Sequence, residues 1–340
     1  MIRRARNAAV VLALLVAAPV AGCGSDTQSS DALVIYSGRN KELVGGVLDQ
    51  LQQATGVKVE VRYGSSGEMA AQLLEEGERS QADVFFSQDA GALGAVAEQG
   101  RLAELPADVL DLVPAGYRAD DKRWVGTSAR VRVVAFDPRV VTEADVPDSL
   151  EQVVDPKWKG KVGYAPTNAS WQAFVTSVRV VKGEDYAKDW LKKFAANEPK
   201  RYDNNIAIMN AINDGRLPVG LINHYYWYAK VAEHGADAVK VKLHYVSSGD
   251  PLGLVNVAGA GVVAGSDKAE AAQKAVRFLL SEQAQRYFAD ETAEYPANPT
   301  VKSTKHQLPA LTDLHGPDID LSKLSSLQQT LALLQEAGLS

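Results

Sequence analysis

Cysteine occurs once in the 340 residues, at Cys23. Its isolation near the start leaves the rest of the chain without a disulfide, a thiolate metal site or a thiol nucleophile, so any metal must be held by oxygen or nitrogen. Histidine is scarce too, with five scattered residues, and neither an H-E-x-x-H nor a G-x-S-x-G pattern occurs. That removes the usual signatures of a zinc or serine hydrolase. The one conspicuous apolar run, 8–20, is too short to span a membrane well. Positive charge is in deficit, with 36 Lys and Arg against 42 Asp and Glu for a formal net charge of −6, and no basic stripe is present, which argues against a nucleic-acid partner.

What is present divides cleanly. Arg3, Arg4 and Arg6 precede the apolar run, and small residues follow it, the three-part layout of a secretory leader. The stretch Val20-Ala21-Gly22-Cys23 resembles the bacterial lipobox, in which cleavage leaves a lipidated cysteine as the first residue. Residues 1–22 are therefore expected to be a signal peptide, Cys23 the lipidation site, and the polar run 24–30 a flexible tether. The expected product is extracytoplasmic and anchored by lipid to the cell membrane. Losing residues 1–22 removes three arginines and no acid, which moves the formal charge from −6 to −9.

The remaining body, with hydrophobic residues at 46% of positions in the whole chain, is long enough for two domains. Periodicity predicts strands at 33–36, 57–63 and 83–86 alternating with helices at 42–54, 69–78 and 90–99, the pattern of a parallel α/β sheet. Residues 124–136 read as one long extended stretch able to run from one lobe into another. A second α/β set follows: strands at 161–164 and 219–222, helices at 172–181, 186–196 and 207–213, and a helix opening near Tyr225. The runs 239–246 and 255–263 are expected to be extended, as the return crossing, before helices at 269–280, 282–288 and 327–337. The expected architecture is two α/β lobes joined by extended crossings, with a cleft lined by the loops after the strands. Lobe boundaries are expected at 31–131 plus 257–306 and at 132–256 plus 307–340.

Those loops hold the candidate chemistry. Tyr225 and Tyr226 stand together at a strand-to-helix junction, beside His224, and can aim two phenolic oxygens at one point. Phenolate is a hard anionic ligand suited to a hard cation, and its ordinary pKa near 10 means that a strong positive charge must accompany it at neutral pH. An aromatic run at a helix start also serves core packing. Arg130 and Arg132 lie two apart on an expected strand and so share a face, while Arg39 comes from another loop. Converging guanidinium groups grip an oxyanion bidentately, although a single arginine is commonly a solvated ion pair.

The segments 34–42 (VIYSGRNKE), 75–86 (EEGERSQADVFF), 155–164 (DPKWKGKVGY), 221–228 (LINHYYWY) and 293–298 (AEYPAN) together resemble the bacterial ferric-ion-binding proteins of ABC uptake systems. The resemblance runs in order along nearly the whole mature chain. It implies a two-lobed type II periplasmic-binding fold and a monomer that captures ferric iron as transported ligand, closes by hinge motion and delivers it to an ABC permease, without catalysis. Tyr225 and Tyr226 match the family's paired phenolate ligands. Where many members carry histidine and glutamate ligands, this chain has Asn40 and Gln88, both poor ferric ligands. A subset of the family uses a synergistic anion held by arginine instead, which implies carbonate on Arg39, Arg130 and Arg132. Phosphate-using relatives hold theirs at positions corresponding to Asn168, Ala169, Ser170, Asn205 and Asn223. Asp89 is a further candidate to reach the metal, or else a helix cap. The alternative reading is a protein of the same fold for a polyamine, thiamine or a free oxyanion, in which residues 225–228 stack a cationic ligand.

Overall fold

The computed structural model describes residues 31–340. The expected signal peptide, the lipidation of Cys23 and the tether lie outside the described residues. Among the described residues, ten strands and twelve α-helices follow one another in an α/β order. The first group is β1 (Leu33–Ser37), α1 (Lys41–Thr55), β2 (Val59–Tyr63), α2 (Ser66–Glu76), β3 (Val84–Ser87), α3 (Ala90–Glu98) and α4 (Ala107–Leu110). The second is β4 (Val125–Phe136), α5 (Leu150–Val153), β5 (Val162–Tyr164), α6 (Ala169–Lys182), α7 (Glu184–Ala196), β6 (Lys200–Arg201), α8 (Asn205–Asn213), β7 (Val219–Asn223), α9 (Tyr225–His234) and β8 (Lys242–His244). The chain closes with β9 (Val255–Val262), α10 (Ala269–Leu279), α11 (Glu282–Glu291), β10 (Tyr295–Pro296) and α12 (Leu327–Glu336).

Local chemistry explains the boundaries. On α1 the apolar residues Val44, Val47, Leu48 and Leu51 recur at helical spacing and are buried, each contributing on the order of 1.5–3 kcal/mol by leaving water. The helix stops at Gly56, whose φ of 70° a side chain would resist. A capping box between Ser65 and Glu68 starts α2. Around the second sheet, Tyr164, Trp171, Phe174, Trp190 and Phe194 interlock, with Trp190 stacked on Phe194 at 5.1 Å, which fixes α6 and α7 against β5.

The strand order is β2-β1-β3-β9-β4-β7-β5-β6, with β8 and β10 added alongside β4. Strands β1, β2 and β3 pair in parallel, as do β5, β6 and β7. Between the two groups run antiparallel β9 and β4, and β4 is buried along all its twelve residues. Its first half pairs with β9, ending at Val131 opposite Val255; its second half pairs with β7, beginning at Arg132 opposite Asn223. One strand thus belongs to two sheets, and the partner changes between adjacent residues. The expected extended run 124–136 is this strand. The expectation for 239–246 is corrected: only Lys242–His244 is strand, laid antiparallel on β4, because Val239 and Val241 turn inward to pack near α8 instead of continuing a ladder. The last segment returns across both groups, with Leu321–Ser325 seated on α3 and α12 on α6, where Arg179 donates to the carbonyl of Ser326 at 2.8 Å and to Thr330 Oγ1 at 2.7 Å.

Candidate functional site

The site lies where β4 changes partners. Arg130 and Arg132 leave the same face of β4, and residues directly opposite in an antiparallel pair share a face. Asn256 on β9 stands opposite Arg130, and Asn223 on β7 opposite Arg132. All four side chains are buried, between 1% and 4% exposed. The register alone therefore makes a polar platform of two guanidiniums and two amides inside an apolar sheet.

These groups differ in what satisfies them. All three guanidinium nitrogens of Arg130, both side-chain atoms of Asn223, Asn256 Nδ2 and the Nε of Arg39 and Arg132 have no hydrogen-bond partner among the described residues. Such clustering is uncommon, since buried polar groups are ordinarily paired. Arg130 feels Tyr225, Arg39, Glu294 and Asp89 around it, and burial pulls its pKa down. Burial likewise brings Arg132 down to about 9, where it still carries its charge at neutral pH. Arg132 donates through Nη1 to Ser170 Oγ at 3.2 Å and through Nη2 to the carbonyl of Leu221 at 3.0 Å, and its guanidinium lies 5.1 Å over the Phe174 ring.

Arg39 is placed differently from the expectation. Its Nη2 donates to Glu294 Oε2 at 2.8 Å in an ion pair with both side chains buried. Ser128 Oγ donates to the same carboxylate oxygen at 3.0 Å. Burial raises the Glu294 pKa, but Arg39, Arg130 and these hydrogen bonds outweigh it and hold the carboxyl below its ordinary value. Arg39 is thus charge-compensated within the protein, and Arg130 is the guanidinium left open.

Tyr225 and Tyr226 open α9, with ring centroids 4.3 Å apart; Tyr225 is buried and Tyr226 partly so. Burial, and Tyr226 after it, raise the Tyr225 pKa well above its ordinary value, so the phenol stays neutral unless a cation joins it. His224 immediately before them is buried, and burial lowers its pKa to about 4. Its Nδ1 accepts from the Val131 N–H at 3.3 Å, which puts the ring proton on Nε2, donating to the carbonyl of Ala293 at 2.8 Å.

Among the loop residues, Asn168 caps α6 by accepting from Ser170 N at 2.9 Å, and Ser170 Oγ donates to the same Asn168 Oδ1 at 2.6 Å. Asn205 Nδ2 donates to Ser170 Oγ at 3.4 Å. Asn168, Ser170, Asn205 and Arg132 are therefore linked to one another, with Arg132 Nε left without a partner among the described residues. Asn40 is exposed before α1, and Gln88, partly buried, donates its backbone N–H to Ser66 Oγ at 2.8 Å. Asp89 is the cap of α3, accepting from Ala92 N at 3.0 Å, and burial raises its pKa. Among the described residues no three His, Cys, Asp or Glu side chains gather as a metal cluster. Sequence reasoning missed Glu294 and Asn256. For Asn256 a signal existed, a lone polar residue in the apolar run 254–263.

Comparison with known proteins identifies the relatives of the chain. A family described as bacterial extracellular solute-binding protein matches residues 80–322. The major ferric iron-binding protein of Neisseria meningitidis serogroup B is 36% identical over 90% of this chain and 93% of its own length. The Fe(3+)-binding periplasmic protein of Serratia marcescens is 33% identical over 96% and 97%. Among solved structures, iron-bound HitA from Pseudomonas aeruginosa superposes with a TM-score of 0.86 at 34% identity, covering 90% of this chain and 99% of that one. Trichodesmium FutA, in complex with iron and citrate, gives 0.74 at 27% over 91% and 100%.

Proposed function

The chain belongs to the bacterial extracellular solute-binding proteins, in the branch of ferric iron-binding proteins, and we propose that it carries ferric iron on Tyr225 and Tyr226 together with a small oxyanion on Arg130. The observation that carries this reading is the open guanidinium of Arg130 beside the tyrosine pair. Two phenolates leave a ferric ion with one positive charge. Arg130 and Arg132 bring two more, opposed only by Glu294, which is paired with Arg39, and by Asp89, whose ionisation burial opposes. In a buried setting that excess calls for an anion.

A planar trigonal anion such as carbonate suits the fork of Arg130, with the unpaired amide of Asn223 and the free Nδ2 of Asn256 on the same platform. A phosphate on the loop at Asn168 and Ser170 would first have to displace the hydrogen bonds those residues make to each other. The metal then takes phenolate oxygens from α9 and anion oxygens from the β4 platform, which between them fill most of an octahedral shell. The proposed cycle is capture outside the cytoplasm, closure by hinge motion of the two lobes (31–131 plus 257–306 and 132–256 plus 307–340), and delivery to an ABC permease by a monomer held at the membrane through lipid on Cys23.

Ferric citrate titration tests the core of this. Wild type should develop a visible tyrosinate-to-iron absorption band, and Tyr225→Phe and Tyr226→Phe should each lose most of the band and at least two orders of magnitude of affinity, with unchanged circular dichroism. A Tyr225→Phe, Tyr226→Phe double variant that loads iron with the wild-type spectrum would return both residues to a packing role.

A further inference from the structure

The residue before the tyrosine pair ties the end of β7 to β4 and to the segment that precedes β10. His224 continues the β4–β7 ladder one step past Asn223: its own N–H donates to the carbonyl of Val131 at 3.1 Å, and its Nδ1 accepts from the N–H of Val131. Val131 is the last residue of β4 to pair with β9. The other ring nitrogen reaches 69 residues along the chain to the carbonyl of Ala293. Ala293 is buried and holds a φ of 53°, a left-handed conformation that a residue with a side chain adopts at a cost. The next residue is Glu294, which grips Arg39 and Ser128, and the one after it, Tyr295, packs its ring 5.0 Å from His224.

We infer that His224 is a positioning residue: its imidazole is a brace that fixes the start of α9, and with it the Tyr225 and Tyr226 oxygens, to β4 and to the segment before β10. The inference rests on the ferric reading of the tyrosine pair. An imidazole is suited to the task because it is rigid and presents an acceptor and a donor on opposite sides at a fixed spacing. A shorter amide at this position could serve one partner but not both. The brace leaves the metal's ligands unchanged, so its loss alters how long iron is held and not which atoms hold it. It joins backbone from both sheets, so pulling α9 away from β10 requires breaking it.

The test compares wild type, His224→Asn, His224→Gln and Tyr225→Phe for three properties: the visible band at saturating ferric citrate, the rate of iron removal by excess EDTA, and the thermal midpoint of the iron-free protein. His224→Asn should keep the full band yet release iron about tenfold faster, the factor expected when a buried hydrogen-bonding group loses its partner. His224→Gln, with a longer amide, should recover part of the slow release, and both iron-free variants should melt within a few degrees of wild type. Wild-type release in His224→Asn would overturn the brace, as would a failure of both His224 variants to fold, which would make His224 a core residue. Retention of the full band in Tyr225→Phe would instead take Tyr225 out of the iron's ligands, a failure of the tyrosine assignment that the release rates of the His224 variants do not share.

Discussion

Arg39 and Arg130 are both buried guanidiniums in one site, and their substitution should have opposite consequences. Truncating Arg39 strands the Glu294 carboxylate, which is 1% exposed and keeps only the neutral hydroxyls of Ser128 and Thr292 as donors. Breaking a buried ion pair from one side costs about 3–5 kcal/mol, so Arg39→Ala should lower the thermal midpoint of the iron-free protein markedly. Arg130 has no such partner, and its three nitrogens lack acceptors among the described residues. Arg130→Met should leave the iron-free protein as stable as wild type or more so, while abolishing any dependence of iron binding on added bicarbonate. Differential scanning calorimetry of the two variants, with ferric titrations in bicarbonate-free and bicarbonate-containing buffer, checks both. A destabilised Arg130→Met that retained bicarbonate dependence would place the anion elsewhere.

At the scale of elements, the junction between β4 and α8 shows how the platform is held. Asp137 follows β4 directly and accepts from Arg139 Nε at 2.7 Å and Nη2 at 2.8 Å, and the same Nη2 donates to the carbonyl of Asn213 at the end of α8 at 3.0 Å. Hydrogen bonding from Arg139 holds the Asp137 carboxyl below its ordinary value against the opposing effect of burial. A depressed folded-state pKa stabilises the fold above the unfolded value, and that contribution is lost as pH falls through the folded one. The difference in thermal midpoint between wild type and Asp137→Asn should therefore be constant from pH 8 to about 5 and shrink below about pH 4. A constant difference down to pH 3 would mean that the charge on Asp137 is not what docks α8. The elements themselves were legible where a pattern ran long, as in the extended stretch that became β4, and misleading where β-branched residues such as Val239 and Val241 pack singly from a coil. In the site, the tyrosine pair was legible because two adjacent phenols after an apolar strand are a local feature. The Arg39 to Glu294 pair spans 255 residues and the His224 braces 93 and 69. No local pattern carries partnerships of that range, which is why Arg39 read as an open anion grip.

At the scale of the whole molecule, the C-terminal segment bears on the proposed closure. It touches both groups of elements, chiefly through Leu321–Ser325 on α3 and through α12 on α6, with lesser contacts of each to the other helix. The two attachments differ in kind. Arg179 holds the start of α12 by hydrogen bonds to Ser326 and Thr330, Thr176 pairs with Thr330 at 2.7 Å, and Leu334 is buried beneath. On α3 the contact depends on close approach to small residues: a Cβ placed on Gly91 would lie 2.5 Å from the carbonyl oxygen of Leu324, and one on Gly94 3.1 Å from Ser325 Cβ. The α3 contact, with fewer polar bonds, is the one that should part first when the proposed cleft opens. Iron binding should then slow amide hydrogen exchange across Leu321–Ser325 and leave α12 unaffected. Gly91→Ala should wedge this contact, because backbone at Leu324 must shift to admit the new methyl. Such a variant should keep the wild-type absorption band, as no ligand atom has changed, but bind iron about five- to a hundredfold more weakly, the usual range of coupling between a remote contact and a site. Equal exchange at Leu321–Ser325 with and without iron, together with wild-type affinity in Gly91→Ala, would show that the contact persists in every state and that closure, if it occurs, pivots elsewhere.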